Sequence, residues 1–265
     1  MKLDEPARQY CPELASLDGV PTVRHLLTHQ SGIRHTTDRE DTTITGSFPR
    51  LRAALKKIVR EPLKFPPGTQ TLYTSWGYAA LGCVIEGASG RPYTEFMKTR
   101  VFDAAGMAAT AFDKPTCDSP TFSPGFRRGL LYGLRPSLVV DTRFKLPSSG
   151  IISTVNDLAR FAIAVLDRKL VTETTAKDMF SIRPDGQGRG VFTAGWSVDS
   201  TGLSKGGKTT YGQAFDFNGS MEGATAYIDL VPAHRYAVAL LANRERSVLE
   251  IQPIIPEIRR LVLGN

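Results

Sequence analysis

Two histidines in this chain stand at a spacing that suits metal chemistry. His25 and His29 are four residues apart, so one helix face would present both rings to a zinc ion. The glutamate of an H-E-x-x-H motif is absent, and no third ligand lies nearby in the sequence. We interpret both residues as structural or capping histidines, and we expect no metal and no other cofactor.

Six further segments, spread over the chain, form an ordered set. They are residues 3–6 (Leu-Asp-Glu-Pro), 23–33 (Val-Arg-His-Leu-Leu-Thr-His-Gln-Ser-Gly-Ile), 65–68 (Phe-Pro-Pro-Gly), 73–78 (Tyr-Thr-Ser-Trp-Gly-Tyr), 149–158 (Ser-Gly-Ile-Ile-Ser-Thr-Val-Asn-Asp-Leu) and 217–223 (Phe-Asn-Gly-Ser-Met-Glu-Gly). In this order they resemble the serine β-lactamase-like family, which includes class C β-lactamases, penicillin-binding peptidases and related esterases. Residues 29–35 resemble its mitochondrial branch in particular.

The resemblance implies a specific chemistry for the segment that contains Tyr73. In the family, the serine of a Ser-x-x-Lys motif attacks a carbonyl, and the lysine together with the tyrosine of a Tyr-x-Asn motif moves the proton. A tyrosine can accept that proton only if a nearby cation lowers its pKa from about 10. Tyr73 matches this tyrosine. Ser75 stands where the family has the asparagine that orients the substrate, and its hydroxyl has a shorter reach.

The resemblance also assigns a substrate-binding edge strand to residues 217–220. Ser220 matches the position whose backbone N–H helps to hold the oxyanion, and Gly219 lets the substrate backbone approach. Phe217 replaces the basic residue of the family, which argues against β-lactam turnover and favours apolar acyl esters or no activity. Asn218 keeps a polar side chain without the hydroxyl. We expect Phe217, Asn218, Gly219 and Ser220 to line the substrate.

The nucleophile of the family is absent from this sequence. No serine among the 265 residues is followed three positions later by lysine. Family members carry that motif just upstream of the segment at residues 3–6, so we expect the N-terminal strands and the nucleophile helix to be missing as well. Two hypotheses follow: a serine hydrolase for esters, amides or β-lactams whose catalytic serine lies upstream, or a non-catalytic remnant that acts as a binding or self-assembly module.

Helices are expected at three places in the first two thirds of the chain. Apolar residues at helical spacing predict one helix between Pro49 and Pro62. A second runs from about residue 77 to 89, with Gly90 as its C-cap. A third starts after Thr154, whose side chain can cap the helix, while Asp157 faces the positive helix end.

From about residue 191 the pattern changes to short apolar runs that are typical of strands. We predict strands at 192–198, 224–230 and 236–242, the last two joined as an antiparallel hairpin. The run at 236–242 is apolar on both faces, which favours a central strand. A C-terminal helix is expected to begin near Pro256.

These elements indicate an α+β fold of the β-lactamase/transpeptidase type, with a helical region and an antiparallel sheet flanked by helices. We expect one domain over residues 1–265, mainly helical to residue 190, with sheet strands and a C-terminal helix after it.

Composition limits the partners and the compartment. The chain has 33 basic and 26 acidic residues, a net charge of +7, but no nucleic-acid-binding motif, and no apolar run is long enough to span a membrane. We expect a small ester, amide or peptide substrate, no nucleic acid, no membrane span, and self-association of the isolated chain through exposed apolar surface. The three cysteines are widely spaced and suggest no disulfide framework. The localisation stays open: cytoplasmic or mitochondrial if the chain is complete, exported if an upstream leader is missing.

Overall fold

A computed structural model describes residues 1–37, 40, 51–113, 123–129, 133–138, 140–198, 208–209 and 211–264. The α-helices with described bounds are α1 (Val23–Leu27), α2 (Leu51–Ile58), α3 (Ser75–Ser89), α4 (Tyr93–Met97), α5 (Asp103–Ala105), α6 (Val155–Leu166), α7 (Glu173–Met179), α8 (Val248–Ile251) and α9 (Ile254–Leu263). A π-helical turn, Lys98–Phe102, joins α4 to α5. None of the helices in these ranges is long and apolar enough to cross a bilayer.

The described strands form one four-stranded antiparallel sheet and three small two-stranded pairs. They are β1 (Ala111–Phe112), β2 (Phe126–Arg128), β3 (Leu134–Pro136), β4 (Ile151–Ile152), β5 (Ser197–Val198), β6 (Lys208–Thr209), β7 (Gly212–Gln213), β8 (Phe215–Met221), β9 (Ala224–Val231) and β10 (Tyr236–Ala242). The main sheet has the order β10-β9-β8-β5. The small pairs are β1 with β4, β2 with β3, and β6 with β7.

The helical region is built around α3, as the apolar pattern predicts. Trp76, Ala80 and Val84 of α3 are buried together with Leu55 of α2 and Leu26 of α1. The helix starts two residues earlier than expected because the Thr74 side chain accepts the Gly77 N–H at 3.1 Å. It ends at Gly90, which adopts the left-handed conformation expected of a C-cap.

The main sheet is covered on both faces, which follows from the alternation of side chains along its strands. Phe215 and Phe217 of β8 pack towards α6, against Ala162 and Val165. Tyr227 of β9 lies on the opposite face and packs against the C-terminal helices. Thr154 caps α6 as predicted, accepting the Asp157 N–H at 3.2 Å.

The prediction that β10 is a central strand is wrong for the described residues, where β10 pairs with β9 alone and ends the sheet. Its two apolar faces arise because α6 covers one side of the sheet and α9 the other. Coverage of the faces is independent of how many hydrogen-bonded neighbours a strand has, so the apolar pattern could not locate the edge. Leu241 on β10 is 43% exposed.

Two element boundaries also differ from the predictions. The strand expected at 192–198 is reduced to β5, because Gly195 adopts a φ of +99° and turns the chain. The last helix, α9, begins at Ile254 rather than near Pro256. Pro256 lies in the first turn, where a backbone N–H has no partner within the helix.

The structure contains a disulfide that the sequence analysis did not suggest. Cys11 and Cys83 are both buried and joined, which ties the N-terminal segment to α3. They lie 72 positions apart, so no local spacing signals the pair. The third cysteine, Cys117, lies outside the described residues.

Candidate functional site

The loop that carries Tyr73, residues 68–75, is held against the segment that follows α1. The Gly68 N–H donates to the Gln30 carbonyl at 2.8 Å, and the Leu72 N–H donates to the His29 carbonyl at 2.8 Å. The Thr74 N–H donates to Nδ1 of His29 at 3.1 Å. We call residues 68–75 the Tyr73 loop; three hydrogen bonds from its backbone fix it to residues 29 and 30.

Tyr73 is 40% exposed and lies among aromatic rings. The centroid of its ring is 4.6 Å from that of His29 and 5.1 Å from that of His35. Phe192 and Phe217 each lie 6.4 Å away, measured between ring centroids. The contact with Phe217 is the one that joins the helical region to the sheet, because it brings together residues 144 positions apart in the sequence. The surroundings of Tyr73 are therefore apolar on the side of the sheet.

Ser75 is the first residue of α3, and its backbone is capped by a side chain from another segment. The Ser75 N–H donates to Nδ1 of His35 at 3.1 Å. The neighbouring Thr74 uses its hydroxyl to donate to the Arg34 carbonyl at 2.6 Å and to accept the Gly77 N–H. These bonds set the start of α3 directly beside Tyr73.

The four predicted substrate-binding residues lie in the middle of β8, from its third to its sixth residue, and divide between its faces. Phe217 faces α6 and Tyr73, whereas alternation places the Asn218 and Ser220 side chains on the other face. Ser220 Oγ accepts the Arg246 N–H at 2.6 Å, so its hydroxyl is engaged away from Tyr73. A Cβ built on Gly219 meets no atom of the described residues within 4 Å, so none of these residues fills the space beside this strand.

On the side away from β9, the described part of β8 is paired only at its start. β5 pairs with Phe215 and Asp216, and no described strand continues that pairing along Phe217–Ser220. Within the described residues, this stretch of β8 is therefore an edge of the sheet.

Asp185 clamps the far end of the Tyr73 loop. Its carboxylate accepts the Thr71 hydroxyl at 2.9 Å and the Gln187 and Arg189 N–H groups at 2.9 and 3.0 Å. Burial opposes ionisation of this carboxyl, but these hydrogen bonds outweigh it and lower the pKa of Asp185 to about 2. The Gly186 N–H adds a bond to the Gly68 carbonyl at 2.9 Å.

The histidines considered as zinc ligands are used by the backbone instead. His25 Nδ1 accepts the Thr22 N–H at 3.3 Å and completes the cap of α1, and His29 Nδ1 accepts the Thr74 N–H. In the part of the chain that the structure describes, one group of three side chains places potential metal-ligand atoms within 4.8 Å of one another. It comprises Cys11, Glu13 and Cys83, but its two sulfurs are already joined as a disulfide.

Sequence reasoning gave no role in the site to His29, His35 or Phe192, which surround Tyr73. The His29–His35 segment was noted for its resemblance, but nothing in its spacing indicates that both rings reach the Tyr73 loop. That proximity depends on the fold, because some 40 residues separate the two segments.

Residues 202–209 (Gly-Leu-Ser-Lys-Gly-Gly-Lys-Thr) also match two general motifs, G-x-S-x-G and the phosphate-binding G-x-x-x-x-G-K-T. Both motifs require a helix directly after the loop. Lys208 and Thr209 instead form β6, which pairs with β7 in an antiparallel hairpin. Residues 199–207 lie outside the described residues. The context after the match therefore fits neither motif.

The chain is similar in sequence and in fold to several known proteins. The mouse serine beta-lactamase-like protein LACTB, mitochondrial, is 32% identical over 117 residues, which cover 43% of this chain and 20% of that protein. D-amino acid amidase from Ochrobactrum anthropi SV3, solved with D-phenylalanine, superposes with a TM-score of 0.78 at 18% identity over 98% of this chain and 78% of that one. The octameric penicillin-binding protein homologue from Pyrococcus abyssi gives a TM-score of 0.75 at 22% identity over 100% of this chain and 61% of that one.

The structural similarities confirm the α+β fold of the β-lactamase/transpeptidase type. The chain spans about a fifth of the length of the LACTB relative. The Beta-lactamase family model matches residues 1–256, nearly the whole sequence. This chain belongs to the Beta-lactamase family.

Proposed function

We propose that this chain carries the proton-transfer and substrate-binding parts of a serine hydrolase that acts by acyl transfer on an ester, amide or β-lactam carbonyl. Tyr73 exchanges the proton with the attacking hydroxyl, and the outer edge of β8 lines the substrate. The observation that supports this most is the position of the half-exposed Tyr73 ring beside Phe217, next to the open space at Gly219. The nucleophile is not among these 265 residues and is supplied by a preceding segment of the polypeptide.

The apolar rings around Tyr73 favour an apolar acyl group. Phe192 and Phe217 both approach Tyr73. By the family resemblance, Phe217 stands where a basic residue would attract a substrate carboxylate. An ester of a hydrophobic acid suits such walls better than an anionic β-lactam.

The first experiment is intact-mass spectrometry of the 265-residue chain after treatment with a fluorophosphonate, which labels activated serines. We expect no adduct. A stoichiometric adduct on Ser75, Ser204 or Ser220 would show that the nucleophile lies within this chain and would contradict the proposal. Sequencing the coding frame upstream of Met1 then tests the other half, because an in-frame Ser-x-x-Lys is expected there.

A kinetic test follows with the longer polypeptide that this frame encodes. Tyr73→Phe removes the hydroxyl but keeps the ring, and we expect kcat for a p-nitrophenyl ester to fall at least about tenfold. Tyr93→Phe is the matched control. It also removes a tyrosine hydroxyl, but Tyr93 lies on α4, where it is buried beside Phe112 of β1. Equal activity of Tyr73→Phe and the unchanged enzyme would remove Tyr73 from the proton transfer.

A second candidate is a self-assembly module without catalysis, which the exposed apolar edge of the sheet favours. β10 carries no charged residue along Tyr236–Ala242, and within the described residues its outer edge has no strand partner. Uncharged exposed edges promote association between chains. Size-exclusion chromatography with light scattering should show oligomers that Leu241→Lys shifts to monomer. A monomeric unchanged chain at high concentration would contradict this candidate.

A further inference from the structure

His29 combines two unfavourable features that proteins usually avoid. It is 1% exposed and adopts a φ of +58°, a left-handed conformation that is uncommon for residues other than glycine. Its Nε2 is buried without a hydrogen-bond partner among the described residues. Backbone strain and unsatisfied buried polar groups persist only where many surrounding contacts hold the residue in place, and they cluster at functional sites.

What the His29 conformation provides is a double attachment to the Tyr73 loop. Its carbonyl accepts the Leu72 N–H at 2.8 Å, and its Nδ1 accepts the Thr74 N–H at 3.1 Å. The backbone is therefore bound on both sides of Tyr73 by one residue. The His29 ring also packs against the Tyr73 ring at 4.6 Å and is stacked on Tyr78 at 4.9 Å, measured between centroids.

The proton state of His29 suits this attachment. Burial, and to a smaller extent the nearby His35, lower the pKa of His29 to about 3. The ring is therefore neutral at ordinary pH, with the lone pair on Nδ1 and the hydrogen on Nε2. A protonated ring could not accept the Thr74 N–H, so burial keeps this hydrogen bond intact.

We infer that His29 is a positioning residue for Tyr73: it fixes the backbone on both sides of this tyrosine and supports one face of its ring. His35 extends the support by one residue, because its Nδ1 accepts the Ser75 N–H at 3.1 Å. The inference rests on the proposed role of Tyr73 in proton transfer. The hydrogen-bond geometry itself can be tested without turnover.

Two substitutions test the contribution of the His29 ring and that of its acceptor atom separately. His29→Phe keeps an aromatic ring and removes the acceptor. His29→Asn removes the ring but keeps an oxygen acceptor at the position of Nδ1, and asparagine tolerates the left-handed conformation. Amide hydrogen exchange reports on the Thr74 N–H, and the ¹³C signal of tyrosine Cζ, assigned with Tyr73→Phe, reports on the phenol.

In His29→Phe we expect the Thr74 amide to exchange about tenfold faster or more, relative to a core amide of α3 such as Val84, and the Tyr73 signal to shift or broaden. In His29→Asn the Thr74 amide should stay within about threefold of the unchanged protein. An unchanged Thr74 amide and Tyr73 signal in His29→Phe would overturn the inference. Loss of Thr74 protection in His29→Asn would also overturn the role given to the acceptor.

Thr22→Val is the matched control, because the Thr22 hydroxyl also accepts a backbone N–H, that of His25 at 3.1 Å, but caps α1 instead. It should lower the melting temperature and leave the Tyr73 signal in place. A shift of that signal equal to the one in His29→Phe would mean a general loss of structure and would overturn the inference.

If His29→Phe does not fold, His35→Phe tests the same support at an exposed residue. It should speed exchange of the Ser75 amide and shift the Tyr73 signal; no change in either would overturn the inference. These readouts need no catalysis. A failure here is therefore distinct from equal activity of Tyr73→Phe and the unchanged enzyme, which would instead contradict the proposed role of Tyr73 in proton transfer.

Discussion

The two sides of the candidate site are built differently. On the helical side, the Tyr73 loop is fixed by hydrogen bonds to His29, Gln30 and His35 and by the carboxylate of Asp185. On the sheet side, Gly219 borders open space and β8 lacks a described partner beyond Asp216 on one side. Under the proposed function, the proton-transfer group must be held rigidly, while the wall that receives substrate must remain accessible. The contrast suggests that substitutions will have opposite consequences on the two sides.

Beneath the open sheet side lies a buried charged pair that connects it to the C-terminal helix. Arg259 of α9 is 2% exposed and donates from Nε to Asp229 on β9 at 2.9 Å. Asp216 of β8 is also fully buried and accepts the Tyr227 hydroxyl at 2.5 Å. We therefore expect the sheet to be rigid on its α9 face.

The largest effect is expected from breaking this buried pair. Arg259→Met leaves the Asp229 carboxylate buried without its guanidinium, which should reduce the free energy of unfolding by about 3 to 5 kcal/mol in urea titrations. The control is Arg260→Met on the same helix, whose pair with Glu257 is exposed and should matter far less. Comparable losses from both substitutions would show that the α9 face is not the rigid part of the sheet.

The disulfide should contribute a similar amount on the helical side. Replacing Cys11 and Cys83 together by alanine removes a cross-link over 72 positions, which should lower the free energy of unfolding by about 4 kcal/mol. Cys117→Ala is the control that removes the third thiol alone. In denaturant, the unreduced chain should titrate one thiol and the reduced chain three, since Cys11 and Cys83 account for two of its three cysteines. Three thiols before reduction would rule the cross-link out.

An intermediate effect, dependent on pH, is expected at the Asp185 clamp. Its folded-state pKa of about 2 is lower than the usual aspartate value near 3.8, so the ionised form stabilises the fold above about pH 4. That contribution is lost as the pH falls towards 2. Asp185→Asn should lower the melting temperature at pH 7, and the difference from the unchanged chain should shrink between pH 4 and 2. If the difference in melting temperature stays constant over this range, the hydrogen bonds of Asp185, and not its charge, stabilise the loop.

The smallest effect on stability is expected at Gly219. Gly219→Ala adds a methyl group to open space, so the free energy of unfolding should change by less than about 0.5 kcal/mol. Gly32→Ala is the contrasting variant on the helical side, because its φ is +78° and the new Cβ would lie 2.2 Å from the Phe65 carbonyl oxygen. It should be strongly destabilising. A melting temperature lowered as much by Gly219→Ala would mean that β8 is packed and not open to substrate.

Much of the helical region was predictable because its signals are local. The stripe of Leu51, Leu55 and Ile58 and the caps at Thr154 and Gly90 follow from the geometry of one helix. The family segments also predicted that Tyr73 and Phe217 belong to one site; their ring centroids lie 6.4 Å apart, and their roles stay predictions. That the chain forms a single domain over residues 1–265, and that Ser75, Asn218 and Ser220 act on substrate, stay predictions.

The features that sequence could not supply depend on contacts between distant segments. The edge position of β10 is decided by which strands find hydrogen-bond partners, and the Cys11–Cys83 pair by the approach of α3 to the N-terminal segment. The support of Tyr73 by His29 and His35 has the same origin, since their Nδ1 atoms meet backbone N–H groups some 40 residues away. The sequence by itself determined the elements and the family chemistry, because periodicity, caps and motifs are local along the chain. Only the tertiary structure decided how the tyrosine is held and which edge of the sheet stays open, because those are properties of packing.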